Sequence, residues 1–236
     1  MNKEILVSLT TAGNPNWRQT ITELKECSIN RFALFLTMMP GYEERMDLMK
    51  TIQKNIPDAE IPFVHIRQDM RLDEIDFLIN TFGLKTMNTH PTREYPLAYD
   101  YSRYMKMLYI ENAGPSSRDG LKSSDIEGFS GVCADISHLE NAKRQGFLGH
   151  PITLETLKKF PIGANHISAI HDEIGTGAIT GSIGHAFHKF DQLADFDYLK
   201  NYGPEFFGPY IALEVYNSIP EQLEAKKYIE NILFSQ

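Results

Sequence analysis

Glu111, Asp135, His166 and Glu214 each close a short apolar run, in Tyr109-Ile-Glu111, Val132-Cys-Ala-Asp135, Gly163-Ala-Asn-His166 and Ile211-Ala-Leu-Glu214. Any one of them alone reads more readily as structural, because single histidines near strands usually satisfy core hydrogen bonds and single glutamates usually form rim salt bridges. Three carboxylates brought together are another matter, since without a cation they repel and desolvate one another. A divalent metal ion resolves that conflict. Two or three carboxylates with one imidazole suit Mn, Mg, Co or Zn ions, and the oxygen-rich set leans toward the harder ones. His65, His90 and His138 end three runs in the same way, in Phe63-Val-His65, Asn88-Thr-His90 and Asp135-Ile-Ser-His138. His138 reads as a hydrogen-bond donor to substrate oxygen or as a second-metal ligand. His65 and His90 read as the wall of a substrate pocket or as ligands extending the site to a second metal.

The elements that must position these residues are eight β-rich runs: Glu4–Leu9, Arg31–Thr37, Ile61–Ile66, Thr86–His90, Met107–Ala113, Gly131–His138, Gly163–Ile170 and Pro209–Tyr216. Several, such as Phe32-Ala-Leu-Phe-Leu36, are continuously apolar, as parallel strands covered on both faces must be. Helical periodicity fills connections between them. It places Trp17, Ile21, Leu24 and Ser28 on one face, Tyr42, Met46, Met49 and Ile52 on another, and Leu72, Ile75, Leu78, Ile79 and Phe82 on a third, before a capping Gly83. Ser218-Ile-Pro-Glu221 forms a capping box opening a last helix with Ala225, Tyr228, Ile229, Ile232 and Leu233 as its stripe. Asn141–Lys159 reads as two short helices divided at Gly149-His-Pro151, and Glu173–Gly184 as a mobile loop. Eight strand-helix units favour a closed (β/α)8 barrel, a TIM barrel, over an open doubly wound sheet. Leu9-Thr-Thr-Ala-Gly-Asn-Pro15 lacks the glycine fingerprint of a dinucleotide fold. The active site of such a barrel lies at the C-terminal mouths of its strands, where the polar residues above fall.

The 236 residues carry a net charge of −8 and a hydrophobic fraction of 42%, which fits one globular domain over 1–236 and argues against a nucleic-acid or anionic-membrane partner. No apolar run is long enough to span a membrane, and the N-terminus enters a strand-like segment too soon for a signal peptide, so a cytoplasmic enzyme is expected. Cys27 and Cys133 lack the spacing of a zinc motif and read as small buried hydrophobes, with a pairing left open.

Four stretches carry a resemblance: Tyr109-Ile-Glu111-Asn112-Ala-Gly114, Gly131-Val-Cys-Ala-Asp135-Ile-Ser-His138-Leu139, Asn165-His166-Ile-Ser168 and Ile211-Ala-Leu-Glu214-Val215. In them the chain resembles the xylose isomerase-like TIM-barrel superfamily, which spans sugar-phosphate isomerases and epimerases, tagatose 3-epimerase-like enzymes, hydroxypyruvate isomerase and class II AP endonucleases. The resemblance implies one metal bound by Glu111, Asp135, His166 and Glu214, with Glu111 and Glu214 also acting as proton-transfer groups on a small ketose. His65, His90 and His138 would contact substrate. It also implies a homo-oligomer, dimers and tetramers being common in the family.

The endonuclease branch is the competing enzyme reading, since it uses histidines where His65 and His90 stand and an Asp-x-x-His like Asp135–His138. The acidic, short chain weighs against it, as does Ile183 two residues before His185, where that branch has an aspartate. Arg67, Arg118, Lys122 and Lys189 are scattered candidates for a phosphate contact, and Gly175–Gly181 is a candidate lid. A catalytically silent, ligand-binding barrel is the third reading.

Overall fold

A computed structural model describes residues 3–11, 16–113, 116–176 and 183–234. In chain order the strands are β1 (Glu4–Leu6), β2 (Ser8–Thr10), β3 (Ala33–Phe35), β4 (Phe63–His65), β5 (Thr86–Thr89), β6 (Leu108–Glu111), β7 (Val132–Asp135), β8 (Ile162–Ile167), β9 (Ala169–Thr176), β10 (Ile183–Phe187) and β11 (Tyr210–Leu213). Nine of them form one sheet in the order β1-β11-β8-β7-β6-β5-β4-β3-β2. Every pairing in it is parallel.

The first apolar run closes this sheet into a barrel. It splits at Val7: β1 pairs with β11, Glu4 opposite Tyr210, and β2 pairs with β3, Ser8 opposite Ala33. Backbone groups at such a switch of partners need other hydrogen bonds. Gln222 supplies them, accepting from the Ser8 amide at 2.8 Å and donating to the Ser8 carbonyl at 3.1 Å. Gln222 is buried in the last helix, so one amide side chain fastens that helix to the closing seam.

The helices are α1 (Trp17–Glu26), α2 (Tyr42–Asn55), α3 (Leu72–Phe82), α4 (Ser116–Asp119), α5 (Ser123–Ile126), α6 (Ile136–Arg144), α7 (Gly149–Lys159) and α8 (Ile219–Phe234). α3 ends as its periodicity demands, with Gly83 at φ 68°, a left-handed conformation that costs glycine little. The Ser218 amide donates to the Glu221 carboxylate at 2.8 Å, completing the expected box at α8. No described helix is long and apolar enough to cross a membrane.

Several expectations require correction. Ser28 does not continue the α1 stripe; it lies beyond the helix with φ 56°. Gly149-His-Pro151 does not divide the sixth connection but opens α7, where proline is tolerated because first-turn amides have no intrahelical acceptor. The fourth connection closes on a 3-10 helix, Ser102–Met107, and the fifth holds only the short α4 and α5, so the outer ring is thinner there than strict alternation implies. The two ends of the segment read as a mobile loop, 173–176 and 183–184, belong to an antiparallel ribbon, with β9 and β10 paired from Ala169–Phe187 up to Thr176–Ile183. The tip of the expected lid, 177–181, lies outside the described residues, as does Gly114.

Two large apolar clusters fill the space between sheet and helices. A third lies inside the barrel, made of Leu6, Ala33, Phe35, Phe63, Cys133, Ala164 and Ala212, with Tyr109 and Tyr210 packed against it. Side chains two apart along a strand share a face. The next inward positions after Phe63, Tyr109, Cys133, Ala164 and Ala212 are therefore His65, Glu111, Asp135, His166 and Glu214. Gly163 makes room beneath them, since a methyl group on it would meet Tyr109 Cε1 at 2.1 Å. Gly163→Ala is expected to lower stability by about 1–3 kcal/mol through overpacking, read from a denaturant midpoint. The penalty should shrink in a Tyr109→Ala background; an equal loss in both would show that the ring is not the obstacle.

Candidate metal centre

Glu111, Asp135, His166 and Glu214 come together in the upper layer of the barrel interior. Each offers one ligand atom, and these atoms all lie within 4.8 Å of one another. His166 Nδ1 is 3.3 Å from Glu111 Oε2, 3.3 Å from Glu214 Oε2 and 4.0 Å from Asp135 Oδ2. All four residues are buried.

Neighbours orient the set from below and beside it. Asn88 donates to Glu111 Oε2 at 2.7 Å. Asn112 holds the Asp135 backbone at both ends, accepting from its amide at 2.8 Å and donating to its carbonyl at 2.9 Å. Asp135 also caps α6: its Oδ1 accepts the His138 amide at 2.7 Å and the Ser137 hydroxyl at 2.5 Å. Phe35 and Phe63 back the His166 ring, with centroids 4.8 and 5.5 Å away.

Despite this ordering, His166 Nδ1 and Nε2, Asp135 Oδ2 and Glu214 Oε2 are buried without a hydrogen-bond partner. Buried polar atoms without partners are costly and uncommon. Two such carboxylate oxygens and an imidazole nitrogen, gathered with the Glu111 carboxylate, fit a divalent cation.

The electrostatics describe the same conflict. Burial would raise Glu111, but His166 and His65 outweigh it and hold its carboxylate well below the usual range. Glu214 is likewise held at about 2, burial being overcome by His188 and His166. Asp135 goes the other way: burial raises it, and Glu214 and Glu111 add to the rise. Burial lowers His65 to about 3, which leaves a neutral imidazole able to act as a ligand or hydrogen-bond donor.

Of the other sequence candidates, His65 is buried at the end of β4, its Nδ1 3.3 Å from Glu111 Oε2. Its ring stacks on His166 at 5.1 Å and meets His90 edge-on at 4.9 Å. His65, His90 and Glu111 form a second candidate ligand group sharing Glu111 with the first. His138 is not a strand residue: β7 ends at Asp135, and His138 stands in the first turn of α6. Its Nε2 is nonetheless 3.6 Å from Asp135 Oδ2.

Of the candidate phosphate contacts, Arg67 is tied to Asp69 and the Thr37 carbonyl, and Arg118 lies over Phe147. Both cysteines are free, and Cys133 lies inside the barrel. Asn88, Asn112, Ser137 and Ser168 went unassigned in the sequence, although Asn88 and Asn112 are conspicuous as polar residues at the ends of apolar runs.

Comparison with family models gave no match. Comparison with curated protein sequences gave none either. Among solved structures, the chain is similar at TM-score 0.44 and 12% identity to the probable 3-DHS dehydratase AsbF from Bacillus anthracis, each chain covered over 98%. It is similar at TM-score 0.42 and 11% identity to an HpcH/HpaI aldolase from Desulfitobacterium hafniense DCB-2, over 98% of this chain and 93% of that one. An L-Ala-D/L-Glu epimerase gives TM-score 0.37 and 12% identity over 72% of this chain, which matches half the length of that protein. Likenesses this distant assign no activity; the chain's own strand order identifies it as a parallel α/β barrel of the TIM type.

Proposed function

We propose that the chain is a single-domain, divalent-metal-dependent isomerase or epimerase acting on a small sugar, sugar phosphate or hydroxy-carbonyl compound. The observation that carries this reading is the placement of two glutamates about one imidazole. Glu111 and Glu214 reach His166 from strands on either side of β8, each with Oε2 3.3 Å from Nδ1. Glu111, Asp135, His166 and Glu214 would hold a divalent cation, which would supply Lewis-acid polarisation of a substrate carbonyl.

The protein's own groups do the proton work. One glutamate takes the proton from the carbon beside the carbonyl and the other returns it, at the same carbon for an epimer or through the neighbouring oxygen and carbon for an aldose-ketose exchange. His65, His90 and His138 border the same space and serve as hydrogen-bond partners for substrate oxygens. The apolar layer of Phe35, Phe63, Cys133 and Ala164 closes the floor and keeps bulk water from entering below.

A second reading, a metal-dependent phosphodiesterase like the AP endonucleases, is favoured by the second ligand group His65, His90 and Glu111. The net charge of −8 opposes it, because binding to a nucleic-acid backbone depends on cationic contacts. Metal analysis of the purified protein separates the two. About one ion per chain with turnover in a panel of ketoses and hydroxypyruvate supports the isomerase. Two or more ions, no sugar turnover and cleavage of an abasic duplex support the phosphodiesterase. No affinity for Mn, Mg, Co or Zn overturns both. Because an ion at 100 times its Kd adds about 2.7 kcal/mol to a folded state that alone binds it, a thermal melt with and without added Mn or Co should show a rise in Tm. An unchanged Tm would count against the site.

A further inference from the structure

Two buried serines stand behind Asp135. Ser168 Oγ donates to Ser137 Oγ at 2.7 Å, and Ser137 Oγ donates to Asp135 Oδ1 at 2.5 Å. The His138 amide reaches the same Oδ1 at 2.7 Å. Ser137 is fully buried and Ser168 nearly so. The Ser168 carbonyl in turn accepts the Tyr198 hydroxyl at 2.9 Å, which fixes the backbone just beyond His166. The two serines therefore join the chain two residues past one candidate ligand to the outer oxygen of another. Asp135 Oδ2, by contrast, has no hydrogen-bond partner.

We infer that the Ser168–Ser137 hydroxyl pair is a positioning device that commits Asp135 Oδ1 to hydrogen bonds and presents Oδ2 alone to the cation. This deepens the metal-site reading above and rests on it. The consequence is a preference among ions. Calcium takes six to eight oxygen ligands and often fills that shell with a carboxylate bound through both oxygens, whereas Mn, Co and Zn are satisfied by fewer, closer ligands. An aspartate limited to one oxygen, beside a histidine nitrogen, is a poor component of a calcium shell. Ser137 and Ser168 thereby set which ions are rejected while touching none of them.

The test is titration calorimetry of the full chain with Co, Mn and Ca chlorides, together with the visible absorption spectrum of the Co-loaded protein. Wild type, Ser137→Ala, Ser137→Thr and Ser168→Ala are compared. Loss of a hydrogen-bond partner behind a ligand typically weakens metal binding about 10- to 100-fold. Ser137→Ala is expected to weaken Co and Mn binding by that factor, to narrow the discrimination against Ca and to shift the Co spectrum. Ser137→Thr, which retains the hydroxyl, should restore all three. Ser168→Ala should move them the same way by a smaller factor, and it decides the matter if Ser137→Ala does not fold by circular dichroism. Wild type that binds Co while both alanine variants keep its affinity, selectivity and spectrum would overturn the inference and leave the metal site standing. Wild type that binds no metal would overturn the metal site and this inference with it.

Discussion

Glu214→Gln is expected to reduce turnover of the best ketose substrate by about 10²- to 10⁴-fold, the usual contribution of a positioned acid or base. The amide keeps the size of the side chain but can neither accept the proton nor carry the negative charge. Glu214 is placed for the role by geometry: it is buried, with Oε2 3.3 Å from His166 Nδ1. The same substitution removes one of three carboxylates around His166, so metal affinity should also fall. Assays at saturating metal separate the two effects: recovery of full turnover when the ion is in excess would mean that Glu214 only binds, and the proton-transfer assignment would be wrong. Glu111→Gln is the matched control. Its effect should be of similar size, because Glu111 lies at the same distance from His166 Nδ1.

The second large effect is on stability and lies outside the site. Arg45 and Glu74 are buried together between α2 and α3, with Nε to Oε1 at 2.6 Å and Nη2 to Oε2 at 3.0 Å. Arg45 also donates to the Met39 and Pro40 carbonyls, and Glu74 accepts the Arg71 amide at 2.7 Å at the start of α3. Burial would weaken the Arg45 charge, but bonding to Glu74 more than offsets it. Removing one member leaves an uncompensated buried charge, which costs about 3–5 kcal/mol. Glu74→Gln should therefore lower Tm by roughly 6–20 °C for a chain of this size. The double replacement Arg45→Met with Glu74→Leu should cost much less than the single one, since neither charge is then left without its partner. A Glu74→Gln loss below about 1 kcal/mol would show that Asp69, 3.6 Å from Arg45 and partly exposed, is an adequate substitute partner.

Much of this molecule is legible along the chain. The strand runs are recognisable because parallel strands buried on both faces must be continuously apolar, and α3 is recognisable from its stripe and Gly83. The site residues stand out because a charged side chain ending such a run has an energetic cost that some partner must offset. Other features have no local signal. The stretch 173–184 that links β9 to β10 is rich in Gly, Thr and Ser and carries no strand signal, and the pairing of the two strands depends on contacts with each other and with α6. The His185 amide, for instance, reaches Asn141 Oδ1 at 2.8 Å. Arg45 and Gln222 likewise sit in helices as ordinary polar residues until the fold buries them against Glu74 and Ser8.

The sequence by itself determined the types of side chain available, the alternation that stacks Glu111 on Tyr109 and His166 on Ala164, and the barrel as the closed way to cover eight apolar runs. Only the tertiary structure decided that four candidate ligand atoms from different parts of the chain meet within 4.8 Å and that Glu111 also lies in a group with His65 and His90, and that Asp135 Oδ1 is hydrogen-bonded while Oδ2 is not. The reason is physical. Periodicity fixes which face a residue occupies, a property of its own strand, whereas distances across the barrel mouth depend on register between strands far apart in the chain. Hydrogen bonds such as Ser168 to Ser137 form only once that register is set.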